Sequence, residues 1–219
     1  CLATTRMPPR LDFRHLCLAS LFMFAGMVRA SDAGHTPIQH FTQRDYQGHN
    51  QVFDIVQGPD GIMYLTNRGA VLEFDGSTWR RTNVPTIWVR QLRLDASGRI
   101  WLAGSDEFGW CERDEQGVLV YHSLLEQLPA DQRKPGQVWS VELFGGAVYF
   151  STSTHVHCWR NGVLTSLPMP MAARAYFGAG GGRLYLFRSG DALYRLDPDG
   201  GKFTAINRDP AIVGNNLFT

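Results

Sequence analysis

The chain has 219 residues, of which 44% are hydrophobic and 19% are charged, and its formal net charge is +1. This composition is typical of a globular protein and excludes a disordered or collagen-like chain. Because binding to a phosphate backbone normally needs a basic face, the small net charge also predicts that nucleic acid is not a partner.

The first 30 residues have the three parts of an export signal. The sequence begins with Cys1 rather than methionine, so we take Met7 as the initiator. Two arginines supply the positive n-region, residues 16–28 form the apolar core, and small residues precede a cleavage position after Ala30. The apolar core is short for a bilayer span, and an uncleaved membrane-anchoring helix is the alternative. Either interpretation places the rest of the chain outside the cytoplasm.

A strand–turn–strand pattern then recurs about every 40 residues. Its clearest copy is residues 94–104, where an apolar run, a turn ending in Gly98 and a second apolar run containing Trp101 follow one another. This order is typical of two strands joined by a tight turn. Aromatic residues anchor the four copies: Tyr64, Trp101, Tyr149 and Tyr185.

Each repeat contains four predicted strands. In the first repeat they cover residues 52–56, 62–66, 70–74 and 78–82, with glycine in the turns where a hairpin needs positive φ. A short helical turn before Pro129 lengthens the second repeat. After an extended lead-in at residues 31–45, we place the repeats at residues 46–85, 87–129, 136–168 and 172–210, and a fifth begins at residue 211.

This organisation predicts an all-β fold, a β-propeller of four-stranded antiparallel blades. Four-stranded sheets repeated at this interval must pack on their neighbours, and radial arrangement leaves few exposed edges. Four blades and the start of a fifth make a partial ring, and we expect the whole ring to hold about six to eight blades. A β-sandwich is the alternative that short strands also suit.

The first two repeats resemble the two-component regulator propeller repeat. The resemblance rests on Asp60-Gly61-Ile62-Met63-Tyr64 and its flanking strands, on Ser97-Gly98-Arg99-Ile100-Trp101, and on Glu107-Phe108-Gly109-Trp110 after it. It covers about residues 46–209. The third and fourth repeats depart from the pattern, since Gly145-Gly146 and Gly181-Gly182 replace the expected Asp-Gly.

What this resemblance implies is a ligand-sensing propeller at the periplasmic face of the bacterial inner membrane. Such proteins continue into a sandwich domain with a three-tyrosine motif, a membrane helix and an output domain, commonly a histidine kinase or a GGDEF diguanylate cyclase. The implied partners are a small-molecule or carbohydrate ligand, the downstream domains of the same protein and, in the full-length form, a second copy in a dimer. This segment itself is predicted to be neither an enzyme nor cofactor-dependent.

Residues between strands are the candidate ligand-binding residues, because loops at the face of a ring carry binding sites. The candidates are Trp88, Arg90, Glu107, Trp110 and Trp139. The alternative for the tryptophans is that they fill space between blades. A second function class, an exported propeller lyase or glycosidase acting on polysaccharide, would use the acidic residues Asp106 and Glu107.

Two further groups of residues are candidate sites. His155 and His157 lie on one face of a predicted strand, but no third ligand is evident nearby, so we predict no metal site. Cys111 and Cys158 occupy similar places in neighbouring repeats, and either a disulfide or two buried thiols is compatible with export.

Overall fold

The computed structural model describes residues 38–197 and 201–214. The fold described below is that of the unit Phe41–Thr219. The predicted leader, residues 1–30, lies outside the described residues. Among the helices that are described, none is both long enough and apolar enough to cross a membrane.

This unit contains four sheets, each made of four antiparallel strands paired in chain order. Blade 1 holds β1 (Ile55–Gln57), β2 (Met63–Asn67), β3 (Ala70–Phe74) and β4 (Trp79–Asn83). Blade 2 holds β5 (Val89–Leu94), β6 (Ile100–Gly104), β7 (Phe108–Arg113) and β8 (Leu119–Ser123). Blade 3 holds β9 (Val138–Phe144), β10 (Ala147–Thr152), β11 (His155–Arg160) and β12 (Val163–Pro168). Blade 4 holds β13 (Ala175–Gly180), β14 (Arg183–Arg188), β15 (Ala192–Leu196) and β16 (Phe203–Asn207).

Short helices lie before, between and after the blades. Helix α1 (Gln43–Tyr46) precedes blade 1, and two 3₁₀ helices, Leu125–Gln127 and Ala130–Gln132, connect blades 2 and 3. The first of these is the helical turn predicted before Pro129. Helix α2 (Pro210–Val213) follows blade 4, so the point at which we expected a fifth repeat begins with a helical turn.

The predicted first strand of blade 1 is wrong in its bounds. We expected it at residues 52–56, but β1 begins at Ile55. The physical reason is that the amides of Phe53 and Asp54 both donate to the Thr66 hydroxyl, at 2.8 and 2.9 Å, instead of entering a backbone ladder. The segment before Ile55 is therefore held by a side chain.

Neighbouring blades meet through their first strands. Strand β5 contacts β1 and β2, β9 contacts β5 and β6, and β13 contacts β9 and β10. The first strands therefore share the inner side of the assembly, as in a propeller. In the described residues the four sheets remain separate and do not close into a ring, so the predicted all-β partial ring is confirmed.

The core lies between the blades and follows the two-residue period of the strands. In β6, Ile100 and Leu102 pack toward blade 1, whereas Trp101 and Ala103 pack toward blade 3. All residues of β6 are buried. A strand covered on both faces has a continuous apolar sequence rather than an alternating one, which accounts for the apolar runs in the repeat.

Trp101 connects a turn to this core. Its side chain is 1% exposed, and its Nε1 donates to Asp95 Oδ2 at 2.8 Å. Burial alone would raise the pKa of Asp95, but hydrogen bonds from Ser97, Trp101 and Arg99 outweigh burial and lower it. In blade 2, the pair of Asp95 and Trp101 therefore fixes the hairpin to the inter-blade core.

Cys111 and Cys158 are free thiols in the structure. Cys111 lies in the core between blades 1 and 2, and Cys158 packs against the core between blades 3 and 4. Because the two residues belong to different cores, the disulfide alternative is not realised. Burial raises the pKa of Cys111 to about 12.

Candidate functional site

The first strands are joined across blades by side-chain acceptors. In each of three blades, one polar side chain accepts a hydrogen bond from a backbone amide of the next first strand, and we call this contact a first-strand latch. The latches, acceptor first, are Asp54 with Leu92 (2.9 Å), Gln91 with Val141 (2.8 Å) and Ser140 with Phe177 (3.0 Å). They satisfy edge amides that would otherwise face the inner side unpaired.

An ion cluster adds to these contacts. Arg93 Nε lies 3.2 Å from Glu142 Oε2, and Arg93 Nη1 lies 3.5 Å from Asp54 Oδ2. The three residues come from blades 1, 2 and 3. These charges near the inner side are thus paired with one another. The ion pairs help to fix the distances between the first strands of blades 1, 2 and 3.

The face at which the first strands begin, which we call the upper face, comprises residues 49–54, 67–69, 86–90, 137–139 and 173–176. The upper face contains two β-bulges. The pairing of β5 with β6 skips from Val89 to Gln91, and the pairing of β9 with β10 skips from Val138 to Ser140. The inserted residues are Arg90 and Trp139. A β-bulge changes the direction of a side chain, and bulges are common beside binding sites. The positions of Arg90 and Trp139 therefore suit ligand contact.

The first cluster on the upper face surrounds Trp88. The rings of His49 and Phe53 lie 4.9 and 5.6 Å from the Trp88 ring, both edge-on. The Arg68 guanidinium is 5.8 Å from the Trp88 centroid, and that of Arg90 is 4.6 Å from the Phe53 centroid. The first cluster therefore combines three rings with two guanidinium groups.

The second cluster contains Trp139, Arg174 and Tyr176. The Tyr176 ring lies 6.0 Å from Trp139, and the Arg174 guanidinium lies 5.4 Å from the Trp139 centroid. Trp139 Nε1 donates to Ser153 Oγ at 3.0 Å, which fixes the orientation of the indole. The same combination of ring and guanidinium thus occurs at the junction of blades 3 and 4.

A buried ion pair supports the second cluster. Arg188 is fully buried and lies 3.0 Å from Asp191. The Arg188 guanidinium also donates to the backbone carbonyl oxygens of Ser153 and Met171. The same Ser153 carbonyl accepts from the Ala173 amide. These hydrogen bonds hold the loop before β13, which carries Arg174, against Ser153. Ser153 is the residue that orients Trp139.

The structure places three of the five predicted ligand-binding residues on the same face, in two separate clusters. Trp88, Arg90 and Trp139 lie on the upper face. Trp110 instead packs between blades 2 and 3, 5.3 Å from Trp101, and stacks on His122. Trp110 therefore belongs with the tryptophans that fill space between blades.

Glu107 is turned into blade 2 rather than toward a ligand. It is 4% exposed, and its Oε1 accepts from the Tyr121 hydroxyl, the Ser123 hydroxyl and the Phe108 amide. Burial raises the pKa of Glu107. Its neighbour Asp106 is exposed and accepts from the Gly136 amide. The two acids do not form an opposed carboxylate pair.

Sequence reasoning missed five residues of the two clusters: His49, Phe53, Arg68, Arg174 and Tyr176. A signal was present in part. Val89, Val138 and Ala175 begin equivalent strands, and aligning them puts a cation or an aromatic residue beside each. Arg68 could not be found in this way, because it lies in the turn between β2 and β3.

The predicted histidine face exists but is enclosed. His155 and His157 stack with their rings 5.7 Å apart, and His157 is 1% exposed. Burial, and secondarily His155, lowers the pKa of His157 to about 4. Throughout residues 38–197 and 201–214, no group of three potential ligands is close enough to hold a metal ion.

No protein-family profile matches the chain, and a search of curated proteins finds no match. Solved structures do match it. The extracellular domain of BT3049, a proposed hybrid two-component system from B. thetaiotaomicron, is 14% identical with a TM-score of 0.59, covering 80% of this chain and 27% of that one. Streptogramin B lyase is 16% identical with a TM-score of 0.57, covering 72% and 55%. The WD40 propeller domain of Doa1 is 16% identical with a TM-score of 0.51, covering 73% and 57%.

These likenesses, with four radially packed four-stranded sheets, define the class of the protein as a β-propeller. At such identities they show the fold alone, and the chain spans little more than half of streptogramin B lyase and about a quarter of the BT3049 domain. The matched structures also include the extracellular domain of BT4673, at a TM-score of 0.53. This likeness too shows the fold of the chain and not its family.

Proposed function

We propose that this chain is the ligand-sensing propeller of a bacterial membrane-bound signalling protein. In this proposal residues 7–30 export it to the periplasmic side of the inner membrane, and a histidine kinase or diguanylate cyclase downstream supplies the output. The observation that carries the proposal is the upper face, where bulges display Arg90 and Trp139 beside rings on neighbouring blades. Extracellular domains of proposed two-component systems with the same fold support it.

The upper face suits sensing because it crosses blade boundaries. The first cluster draws on blades 1 and 2, and the second on blades 3 and 4. A ligand held by residues of two blades stabilises one spacing of those blades, and the first-strand latches pass that spacing to the next blade. Ligand occupancy can shift an equilibrium only through such differential contacts.

A thermal-shift screen of metabolites and oligosaccharides tests this proposal. A true ligand at about 100 times its Kd stabilises the folded chain by about 2.7 kcal/mol. We expect Trp88→Ala or Trp139→Ala to abolish the shift, and Trp110→Phe, in the inter-blade core, to retain it. A library that stabilises nothing, or hits indifferent to both upper-face substitutions, would contradict the proposal.

The alternative, an exported propeller enzyme acting on polysaccharide, is favoured by one observation: streptogramin B lyase, an enzyme by name, shares the fold. The engaged Glu107 argues against it, because all three of its hydrogen bonds are made inside blade 2. A polysaccharide panel with product analysis decides between the two. Turnover that is lost in Asp106→Asn would establish the enzyme.

A further inference from the structure

The arginines of the upper face differ from those at the opposite edge in how their charge is balanced. At the opposite edge, a cleft of about 390 Å³ between blades 1 and 2 is lined by Arg99 and Arg113. Arg99 lies 2.6 Å from Glu112, and Arg113 lies 2.6 Å from Glu73. That cleft is therefore internally neutralised and has no cation to offer a ligand.

The first cluster is not neutralised in this way. Among the described residues, no carboxylate lies within ion-pair distance of Arg68 or Arg90, and Arg90 Nε is buried with no hydrogen-bond partner. Asp54, the acid next to Phe53 in the sequence, is engaged elsewhere: its Oδ1 accepts from the Ile55 amide and its Oδ2 from the Leu92 amide. A buried N–H without a partner in a folded protein calls for an acceptor.

The rings of the first cluster limit where the two guanidinium groups can point. Arg90 lies over Phe53 and Arg68 over Trp88, and these rings are themselves 5.6 Å apart. Stacking on an aromatic face orients the planar guanidinium and leaves its edge available for a bidentate oxyanion. Two such groups on adjoining rings form a site with positive charge next to an apolar surface.

We infer that the first cluster binds a ligand that carries an oxyanion, such as a carboxylate, sulfate, sulfonate or phosphate group, attached to an apolar or flat ring. Arg68 and Arg90 bind the oxyanion, and Trp88 and Phe53 contact the ring. His49, edge-on to Trp88, borders the same surface. The inference rests on the proposed function, since it names the ligand class of the same face.

The test compares p-toluenesulfonate with p-toluenesulfonamide, which has the same shape without the charge. Binding to the purified chain is measured by calorimetry or ligand-observed NMR at constant ionic strength, with inorganic sulfate as a third probe. We expect the sulfonate to bind in the millimolar range and the sulfonamide about tenfold or more weaker, as charge-assisted hydrogen bonds require. Arg90→Gln and Arg68→Gln should each weaken the sulfonate by a similar factor.

Arg183→Gln is the matched control, because Arg183 is exposed and begins β14 at the opposite edge. It should leave the sulfonate affinity within about twofold, as a distant surface change does. Unfolding midpoints of all three variants exclude loss of fold as the cause.

Equal binding of sulfonate and sulfonamide would overturn the oxyanion inference while leaving a ligand-binding face in place. Absence of sulfonate binding, or binding indifferent to Arg90→Gln and Arg68→Gln, would also overturn it. None of these results decides the proposed function, which the metabolite screen with Trp88→Ala and Trp139→Ala tests separately.

Discussion

Replacing Gln91 by methionine removes one first-strand latch without changing the length of the side chain. In the structure Gln91 Oε1 accepts from the Val141 amide at 2.8 Å, and Val141 is fully buried. The thioether of methionine is at best a weak acceptor, so Gln91→Met leaves a buried N–H unsatisfied. Such a group costs about 1–3 kcal/mol. For a domain of this size, a loss of about 2 kcal/mol lowers the unfolding midpoint by about 4–8 °C.

Urea unfolding and amide exchange measure the two consequences of Gln91→Met. We expect the free energy of unfolding to fall by the amount above and the Val141 amide to lose protection. Gln91→Glu keeps an acceptor oxygen and should retain the protection. Gln57→Met is the matched control, because exposed Gln57 only donates to the Gly61 carbonyl. The latch would be refuted if the free energy of unfolding of Gln91→Met stayed within about 0.5 kcal/mol of the wild-type value and the Val141 amide stayed protected from exchange.

Three further outcomes follow from the cores. Trp101→Phe loses the hydrogen bond to Asp95 and part of the packing between blades 2 and 3. The free energy of unfolding measured in urea should therefore fall by about 1–3 kcal/mol, and an unchanged midpoint would contradict this expectation. The pKa of His157 is lowered from 6.5 to about 4. Between these pH values the unfolded chain binds a proton that the folded chain does not. The free energy of unfolding therefore falls by up to about 3 kcal/mol as the pH drops from 6.5 to about 4. His157→Gln should remove that fall in parallel pH titrations of unfolding. Cys111, buried and with its pKa raised to about 12, should react with a disulfide reagent at pH 8 only on unfolding, whereas half-buried Cys158 should react first; early labelling of Cys111 would contradict the packing.

The blades were predictable because their signals are local. Gly98 has a φ of 87°, as the turn before Trp101 requires, and the apolar runs on either side have the length of strands. The order of strands within a blade then follows from short turns that permit only antiparallel neighbours. The same local reasoning placed a strand containing Trp101 directly after this turn, where β6 (Ile100–Gly104) lies.

The latches and bulges were not predictable from local pattern. Gln91 and Val141 are brought together only when blades 2 and 3 pack, and no periodicity relates a polar side chain to an amide in another repeat. The bulges at Arg90 and Trp139 depend on strand register, which a single strand does not reveal. The clusters therefore needed the three-dimensional arrangement of the blades.

Glu107 and Trp110 lie elsewhere in the structure than their place in the sequence suggested. Both lie beside a loop, and this position favoured ligand contact in the sequence. In the structure, Glu107 is bound by the hydroxyls of Tyr121 and Ser123, and Trp110 by packing against Trp101 and His122. Proximity to a loop does not determine the direction of a side chain, because burial against the neighbouring blade decides it.

Fluorine NMR of the chain labelled with 5-fluorotryptophan tests the upper face most directly. The sequence has six tryptophans, so each resonance can be assigned from one Trp→Phe variant. On titration with p-toluenesulfonate, we predict a saturable shift of the Trp88 resonance and none of Trp101, which is 1% exposed between blades 2 and 3. A saturable shift of other tryptophans with Trp88 and Trp139 unmoved would place the binding site elsewhere and contradict this prediction.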